Sequence, residues 1–582
     1  MKHVITNAAE ITILEPIDNT YKTGGGPVSV GATVAVASKG LPFVITQVLG
    51  DSTQGAYWGN AFGKPLTKKS YGMEGLRHVH DAATQCNYVN VVRVVAADAK
   101  FPSLSFFAYK MLGANWVLGT VYKEGDIITL ADQTQLICIE NHTAAGTAPT
   151  KTVPTANWEV YTSPVETAAH AYGTKLTVGD GMWMVFYPKD GDPSSQREVR
   201  IEKVKAAAKR FRVAIYEPNA NGDMALLERL EVGLSPEDVD DMGRPAYIET
   251  VFEQQSDYFS VDFDEARGWA DLETVLLELE SDDNNVLGFK FVGGSNGANP
   301  TTEDWIKAWD MFRNERITVT DMFAAGNYEE EVLANCAEIA DYRHCRFFAD
   351  CPPSMAPSQA LVWAKAMGLT SRHTRLYYAP FAANDRFRGG KTVWGASGAA
   401  AAAKAIGNAI FTGNVPGIHY APAGLKRAKL ARTGVLNLHE DETINRDDFV
   451  DARINPVISA TEGGAVIDDD LVQHHQQNYT RFGWVNDILD YIDWRFMEAA
   501  AYAKFEPDGL TERILYDLTK EILDQLVVSG ALVKPRFPDE DGYTKPYLLT
   551  IKQLEIDLWH VQWDVCPTGA ARRIAGQPKL IR

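Results

Sequence analysis

Over the first hundred residues, apolar positions occur in short β-branched runs separated by turn residues. Runs at 28–36, 43–48 and 89–95 predict the strands of a compact sheet. Ahead of them, residues 7–16 have short-strand character and are followed by three glycines at 24–26. This predicts an extended arm in front of the sheet.

Between about residues 96 and 283 the hydrophobic runs become shorter and less regular. Within this stretch, residues 116–161 form a self-contained unit with short apolar runs and with aromatic residues at its two ends. The pattern predicts a small β module inside a larger β-rich insertion.

From residue 286 onward the pattern is strand then helix, repeated at intervals of about 30 residues as βαβ units require. A mostly parallel α/β core is therefore predicted. Its strands are expected at 286–292, 317–323, 345–349 and 374–378, and two of its helices at 328–342 and 358–367.

One further helix of this region has a clear start. Thr301 and Asp304 have capping-box spacing, and Trp305, Trp309 and Phe312 follow at positions i, i+4 and i+7. This predicts an amphipathic helix that packs its tryptophans on the sheet.

The last hundred residues predict two helices and then a strand. Helical periodicity extends over 473–504 and again over 510–530, where Gly530 marks the end of the second helix. Residues 554–563 then alternate between apolar and polar types, which predicts a half-buried edge strand. A basic tail follows this strand.

Composition narrows the class of protein. Of 582 residues, 45% are hydrophobic and 23% are charged, and the net charge is −20. A nucleic-acid surface needs clustered Lys and Arg, so nucleic acid is not an expected partner. No run of about 18 apolar residues and no signal-peptide pattern occurs, so membrane insertion and secretion are not predicted. Six dispersed cysteines suit reduced thiols and synthesis in a cytoplasm.

A glycine-rich turn at 293–297 follows a predicted strand, where a phosphate can bind to backbone amides, and Asp321 follows near the Rossmann acid spacing. The turn lacks the G-x-G-x-x-G spacing, so nucleotide binding is not favoured. Asp350 ends another predicted strand at the carboxyl edge of the sheet. A carboxylate that caps a turn is favoured there over a catalytic one, because no base, nucleophile or metal partner is near in sequence.

A histidine, two cysteines and a small-residue segment each have two interpretations. His344, Cys345 and Cys351 lack zinc-ligand spacing, which favours buried thiols and a surface histidine. No catalytic, cofactor-binding or metal-ligating residue is therefore predicted. The small residues at 396–407 predict a helix that packs closely, either within the chain or against another subunit.

The aromatic residues of the 116–161 unit also leave two interpretations open. They form either a stacking platform for a sugar ring or the core of a module that needs large side chains to stabilise itself. The residues concerned are Trp116, Tyr122 and Trp158.

Several motifs of the C-terminal half occur in an informative order. They are the glycine turn at 293–297, a strand-Asp-Pro turn at 347–353, Tyr-Tyr-Ala-Pro at 377–380, the small-residue segment at 396–409 and Ala-Pro-Ala-Gly at 421–424. In this order they resemble the tail sheath proteins of contractile bacteriophages and of related injection machines. The resemblance covers about residues 1–95 and 286–582, and Asn296 departs from it because an acidic residue is expected there.

The resemblance implies a structural subunit, not an enzyme, that polymerises around an inner tail tube and contracts to drive the tube through the host envelope. It implies a helical homo-oligomer, with hexameric rings, that also meets the tube, baseplate and tail terminator proteins and needs no cofactor. The expected location is the phage tail of the virion, assembled in the host cytoplasm. A carbohydrate-binding tail adhesin or a decorated structural protein is the alternative.

In such sheaths, terminal arms donate strands to neighbouring subunits, which is β-augmentation used for polymerisation. The residues expected to take part in this exchange are Ile11, Ile13, Leu14, Leu554, Ile556, Leu558, Val561 and Trp563. The basic residues expected to contact the tube are Arg572, Arg573 and Lys579.

The expected fold class is α/β, α+β in its multidomain organisation. It has a mostly parallel core assembled from N-terminal and C-terminal segments, a protruding β-rich insertion and extended terminal arms. The expected division is an arm (1–26), the first part of the core (27–97), the insertion (98–284, with the aromatic module at 116–162), the α/β core (285–530) and a C-terminal β segment and arm (531–582).

Overall fold

A computed structural model describes the chain over most of its length. The described residues are 29–49, 61–66, 74–107, 116–124, 126–130, 135–150, 156–160, 165–179, 181–193, 196–219, 221–281, 286–474, 476, 478–537, 542–574 and 577. The predicted arm strand at 11–14 lies outside them.

The helices and strands follow one another in three stretches. Residues 30–107 form β1 (Val30–Ala35), β2 (Ile45–Leu49), α1 (Gly75–Ala83), β3 (Tyr88–Arg93) and β4 (Phe101–Phe107). Residues 121–290 form β5 (Val121–Tyr122), β6 (Ile127–Thr129), β7 (Gln135–Cys138), β8 (His142–Thr143), β9 (Trp158–Val160), β10 (Val165–His170), β11 (Met182–Pro188), β12 (Glu198–Lys205), β13 (Arg210–Pro218), β14 (Met224–Gly233), α2 (Ile248–Gln255), β15 (Phe259–Phe263), α3 (Trp269–Glu278), β16 (Glu280–Ser281) and β17 (Phe289–Lys290).

The third stretch carries the C-terminal half. It forms α4 (Thr302–Asp310), β18 (Asp321–Phe323), α5 (Glu330–Arg343), β19 (Arg346–Asp350), α6 (Pro357–Met367), β20 (Thr374–Tyr378), β21 (Phe381–Asn384), β22 (Lys391–Val393), α7 (Ser397–Asn408), β23 (Leu436–Asn437), α8 (Arg446–Asp451), β24 (Ile454–Ser459), β25 (Ala465–Ile467), α9 (Gly483–Ala503), α10 (Asp508–Ser529), β26 (Tyr547–Glu555) and β27 (Leu558–Val565).

The main sheet joins the two ends of the sequence. Its strand order is β2-β3-β1-β18-β19-β20-β24-β25, parallel from β3 to β24 and antiparallel at its two edges. Gly31 in β1 pairs with Asp321 in β18, so the N-terminal strands complete a sheet begun by the C-terminal half. The predicted mixed α/β class with a mostly parallel core is confirmed.

Both faces of this sheet are covered, as a parallel sheet requires. In β19, Phe347 and Ala349 point into a core with α4, α5 and α6, whereas Phe348 points into a second core with α1 and α7. Side chains of successive strand residues point to opposite faces, so one apolar run serves both cores.

Helix α4 begins where the sequence predicts. The Thr301 side chain accepts a hydrogen bond from the Asp304 backbone N–H at 3.3 Å, and the Asp304 carboxylate accepts one from the Thr301 N–H at 2.8 Å. Trp305 and Trp309 are buried against the sheet. The capping box and the apolar stripe are both confirmed.

Helix α7 is the small-residue segment, and it is buried within the chain. A Cβ at Gly398 would lie 2.2 Å from the carbonyl oxygen of His78 in α1, so only glycine permits this approach. Asp350, fully buried at the end of β19, accepts hydrogen bonds from the backbone N–H groups of Ala396 (2.6 Å) and Ser397 (3.0 Å). The carboxylate therefore caps the positive end of α7, not its own turn.

The insertion contains two further sheets that share one apolar core. Their orders are β10-β4-β11-β15 and β14-β13-β12-β16, with β17 paired to β12. The prediction of a core strand at 286–292 is wrong, because Phe289 and Lys290 pair antiparallel with β12 and Phe291 is buried in the core of the insertion. Residues 116–160 form smaller sheets of their own, β5-β8 and β6-β7-β9.

Two C-terminal predictions also need correction. Helix α9 begins at Gly483, ten residues later than predicted, because Val472 and Leu471 bridge to Arg481 and Phe482 and a separate 3-10 turn, Tyr479–Arg481, precedes the helix. The chain over 554–563 is not one strand but the end of a hairpin. Glu555 pairs with Leu558, and the chain turns between them.

Candidate assembly surfaces

The C-terminal hairpin, β26–β27, packs one face on the pair of helices α9 and α10. Leu549 pairs with Trp563 across the strands, and both rest on the apolar core of the two helices. The Trp563 ring lies 4.9 Å from the ring of Phe496 in α9. The Tyr547 hydroxyl donates to Asp524 of α10 at 2.6 Å. The turn at 556–557 brings these inward residues into register, which explains why the predicted single strand is broken.

The rest of the hairpin extends away from the helices. Leu554, Ile556 and Leu558 are 59%, 89% and 46% exposed, respectively. Within the described part of the chain, neither strand pairs with a third strand along its outer edge. The hairpin therefore presents apolar tips together with two rows of backbone N–H and C=O groups available for pairing.

The segment after the hairpin folds back on the same molecule. The Val533 N–H donates to the Cys566 carbonyl at 3.0 Å, and the Thr568 N–H donates to the Ala531 carbonyl at 2.8 Å. Arg572 forms an ion pair with Asp469, with Nε at 2.8 Å from Oδ1. Arg573 beside it is exposed, and Lys579 lies outside the described residues.

A buried cluster of six charges connects the sheet to α7 and α9. Asp487 of α9 lies 2.8 Å from a guanidinium nitrogen of Arg375 and 2.5 Å from Nζ of Lys404. Arg375 also pairs with Asp470 at 2.7 Å. Arg346 pairs with Asp321 at 2.5 Å and lies 3.9 Å from Asp487. The cluster holds three cations and three anions, so it is electrically balanced.

Burial and charge act in opposite directions inside this cluster. Burial lowers the pKa of Lys404 to about 8, although Asp487 opposes the shift. Burial alone would raise the pKa of Asp487, but attraction to Arg375, Lys404 and Arg346 outweighs it and holds that pKa well below its usual range. Asp487 is therefore the ionised centre of the cluster. Sequence reasoning missed it, because its six members come from six separate segments.

Two groups considered for chemistry have structural contacts instead. A Cβ at Gly294 would lie 1.9 Å from the Pro193 carbonyl oxygen, so the glycine-rich turn fits closely against the insertion. Asp321, considered for a ribose, is the buried partner of Arg346. The turn and the acid are thus both occupied by the protein itself.

The aromatic residues of the small module form its core. Tyr122 and Trp158 are each 2% exposed and meet edge to face, with ring centroids 5.0 Å apart. Trp116 packs against them while half-buried. The rings of Tyr122 and Trp158 therefore have no free face on which a sugar can stack.

No family model matches the chain, and no curated protein matches it by sequence. Among solved structures, it is similar to the sheath tail protein of Desulfitobacterium hafniense, with 10% identity over 96% of this chain and 100% of that one and a TM-score of 0.49. It is likewise similar to the sheath tail protein Lin1278 of Listeria innocua, with 11% identity over 94% and 96% and a TM-score of 0.49. The contracted helical sheath of the anti-feeding prophage aligns with 50% of this chain and 77% of its own, at 14% identity and a TM-score of 0.37.

A helix that crosses a bilayer needs about 20 mostly apolar residues. None of the described helices combines the length and the apolar character that a membrane span needs.

Proposed function

We propose that this chain is the structural subunit of a contractile tail sheath, which polymerises around an inner tube and shortens to drive the tube through a host envelope. The observation that carries the proposal is the hairpin β26–β27. Its inner face is anchored on α9 and α10, its tip is apolar and exposed, and no described strand pairs with either of its edges. The order of the sequence motifs supports the same role.

The physical argument rests on the edges of the hairpin. A two-stranded ribbon is only marginally stable alone, and a third strand pairs the backbone groups that it leaves open. Ile556, at 89% exposure, lies at the tip of this ribbon, where a strand from another copy would cover it. An unpaired strand edge beside exposed apolar side chains promotes association with another strand. These features of the hairpin are therefore consistent with a role in assembly.

The incoming strand in this proposal is the N-terminal arm of a neighbouring copy. Its apolar residues Ile11, Ile13 and Leu14 have the short-strand pattern that pairing needs. The proposed division is an arm (1–26), a core from 27–97 and 285–530, an insertion (98–284) and a C-terminal segment (531–582), except that residues 289–291 pack with the insertion. Helical polymerisation, hexameric rings and contacts with tube, baseplate and terminator proteins belong to this proposal.

The proposed mechanism stores energy in subunit packing and needs no catalytic group or cofactor. The buried charge cluster ties α9 to the sheet, so α9, α10 and the hairpin move with the core as one body. Strand-exchanged arms then act as links while the bodies change their contacts from one lattice to another. A small gain in packing free energy per subunit adds up over the many subunits of the polymer.

Strand exchange is tested by electron microscopy of purified variants. Removal of residues 1–23 and the substitution Ile556→Glu are each expected to give folded, soluble protein without tubes or stacked rings. Met242→Glu is the matched control, because Met242 is 80% exposed in the insertion and far in sequence from the chain ends. Normal tubes from both altered chains would refute strand exchange.

Contact with the tube is tested by charge reversal. We assign this contact to Arg573 and Lys579, since Arg572 is already engaged with Asp469. Arg573→Glu is expected to leave the fold intact and to weaken co-sedimentation with tube protein. Unchanged co-sedimentation would remove Arg573 from the contact surface.

A further inference from the structure

A cluster of two histidines and carboxylates lies where α5 ends, β20 begins and α9 passes. A ring nitrogen of His344, a ring nitrogen of His373 and a carboxylate oxygen of Asp490 all lie within 4.8 Å of one another. We propose that these three residues bind a divalent transition-metal ion of the zinc type, independently of the sheath role. Asp493, one turn further along α9, supplies a fourth oxygen.

The donor set and its spacing suit such an ion. Zinc binds imidazole nitrogen and carboxylate oxygen at about 2.0–2.2 Å, which places two ligands of a tetrahedral site about 3.3 Å apart. The Asp490 Oδ1 atom is already 3.1 Å from Nε2 of His373. The Asp493 Oδ2 atom is 3.9 Å from Nδ1 of His344. A small side-chain rotation of the partly exposed His344 would bring its ring nitrogen within coordination distance of the same ion.

His344 carries the clearest sign of a missing ligand. Its Nδ1 atom is buried, yet it has no hydrogen-bond partner among the described residues. The His344 backbone is left-handed (φ 49°), since the residue caps the end of α5, and this directs the ring toward His373 with centroids 5.8 Å apart. A metal ion would satisfy that nitrogen.

His373 is already oriented as a ligand. Its Nδ1 atom lies 2.6 Å from a carboxylate oxygen of Asp341, which also accepts a hydrogen bond from the Ser371 hydroxyl at 2.6 Å. Protein-bound zinc commonly has this carboxylate–histidine arrangement, in which the carboxylate fixes the ring and its tautomer. The Nε2 atom lies 3.1 Å from Asp490, and coordination of the ion there displaces the proton that Nε2 shares with that carboxylate.

The Arg372 guanidinium competes with the proposed ion for the same carboxylate oxygens. A guanidinium nitrogen of Arg372 lies 3.4 Å from Oδ1 of Asp490 and 3.8 Å from Oδ2 of Asp493. The Arg372 side chain is 33% exposed, so it can turn into solvent when an ion binds. Removing its charge should therefore tighten metal binding, whereas a purely structural ion-pair cluster gains no affinity for zinc from that change.

The test is calorimetric titration of the purified full chain with zinc chloride, together with visible absorption of bound Co²⁺ as a readout of tetrahedral geometry. His344→Asn removes the ring nitrogens and keeps a residue that tolerates the left-handed backbone. Asp341→Asn is a positioning variant at a side chain that is 48% exposed, so both variants should fold. His560→Asn, on the exposed face of β27, is the control.

The unaltered chain and the His560 control should take up zinc with saturation at one ion per chain. His344→Asn should abolish the tetrahedral Co²⁺ spectrum, Asp341→Asn should weaken zinc binding about 10–100-fold, and Arg372→Gln should strengthen it. Absence of saturable uptake by the unaltered chain overturns the proposal. So does an affinity that His344→Asn leaves unchanged.

Discussion

Substitution of Asp487 by Asn tests how firmly α9 is held to the core. The change removes the shared anion of Arg375 and Lys404 and leaves three buried cations facing two anions. Each of the two close ion pairs, at 2.5 and 2.8 Å, corresponds to about 6 kcal/mol of direct attraction at an effective dielectric constant of about 20. Most of that attraction is offset by the cost of burying the carboxylate, several kcal/mol per ion.

The net loss is expected to be about 3–5 kcal/mol, the usual result of removing one partner from a buried pair. Because the pKa of Lys404 is already about 8, this amine is the group that can lose its proton to relieve the excess charge. Asp487→Asn combined with Lys404→Met removes one anion and one cation. The double variant should therefore lose about 1–3 kcal/mol less than the sum of the single variants.

Urea unfolding gives the free energies, and hydrogen–deuterium exchange of α9 peptides locates the loss. Exchange in α9 and in the hairpin should accelerate together in Asp487→Asn, since the helix carries the hairpin core. If the stability losses of the single variants simply add in the double variant, or if hydrogen–deuterium exchange in α9 is unchanged, these charges do not act together to hold α9 to the core.

Three other predictions concern single residues. Burial and the nearby Lys404 and Arg427 lower the pKa of His419 to about 4 from its ordinary value of 6.5. As pH falls from about 6.5 to 4 the unfolded chain takes up this proton first, so stability should fall by at most about 3 kcal/mol, and His419→Gln should flatten the pH profile of thermal unfolding. Gly398→Ala should destabilise the fold by about 1–3 kcal/mol through overpacking, whereas Gly509→Ala, at the same position of α10 with open space around it, should stabilise by up to about 1 kcal/mol in urea unfolding. Trp158→Ala should cost about 3–5 kcal/mol and increase proteolysis within 116–160 only, and cleavage elsewhere would contradict a separate core for that module.

The sequence predicts the parts of the fold that depend on local pattern. The start of α4 is correct because Thr301 and Asp304 are three residues apart and make their contacts within one turn. The incorrect prediction of a core strand at 286–292 shows what a local pattern cannot supply. Its apolar run correctly indicates burial, but the pattern does not say against which sheet, and Phe289 pairs with the insertion.

The buried charge cluster could not be predicted, for a related reason. Asp321 and Asp487 are 166 positions apart. The sequence suggests a different role for Asp321, at a ribose, and nothing near Asp487 in the sequence indicates a buried partner. Arg375 and Lys404 do carry a local signal, since Arg375 precedes the apolar run that begins at Leu376 and Lys404 interrupts a run of alanines. The exposed tip at Ile556 was predicted as a pairing element but with the wrong geometry, because a strict alternation does not reveal a two-residue turn.

The strong acidity of the chain predicts how salt affects assembly. With 76 acidic and 56 basic residues, each copy carries a formal charge of −20, so copies repel one another at low ionic strength. The screening length falls from about 10 Å at 0.1 M salt to about 3 Å at 1 M. Added salt weakens the electrostatic repulsion between subunits. It has little effect on the free energy of backbone pairing along the hairpin edges or of burying the apolar tip.

Polymer formed by purified protein should therefore increase between 0.05 and 0.5 M sodium chloride (roughly a threefold change in screening length), as measured by light scattering and sedimentation. Ile556→Glu adds one more negative charge at the proposed contact and should shift this rise to higher salt. If the polymer instead dissolves as salt is added, ion pairs between subunits would dominate the interface, and strand pairing with apolar burial would not be its main source of stability.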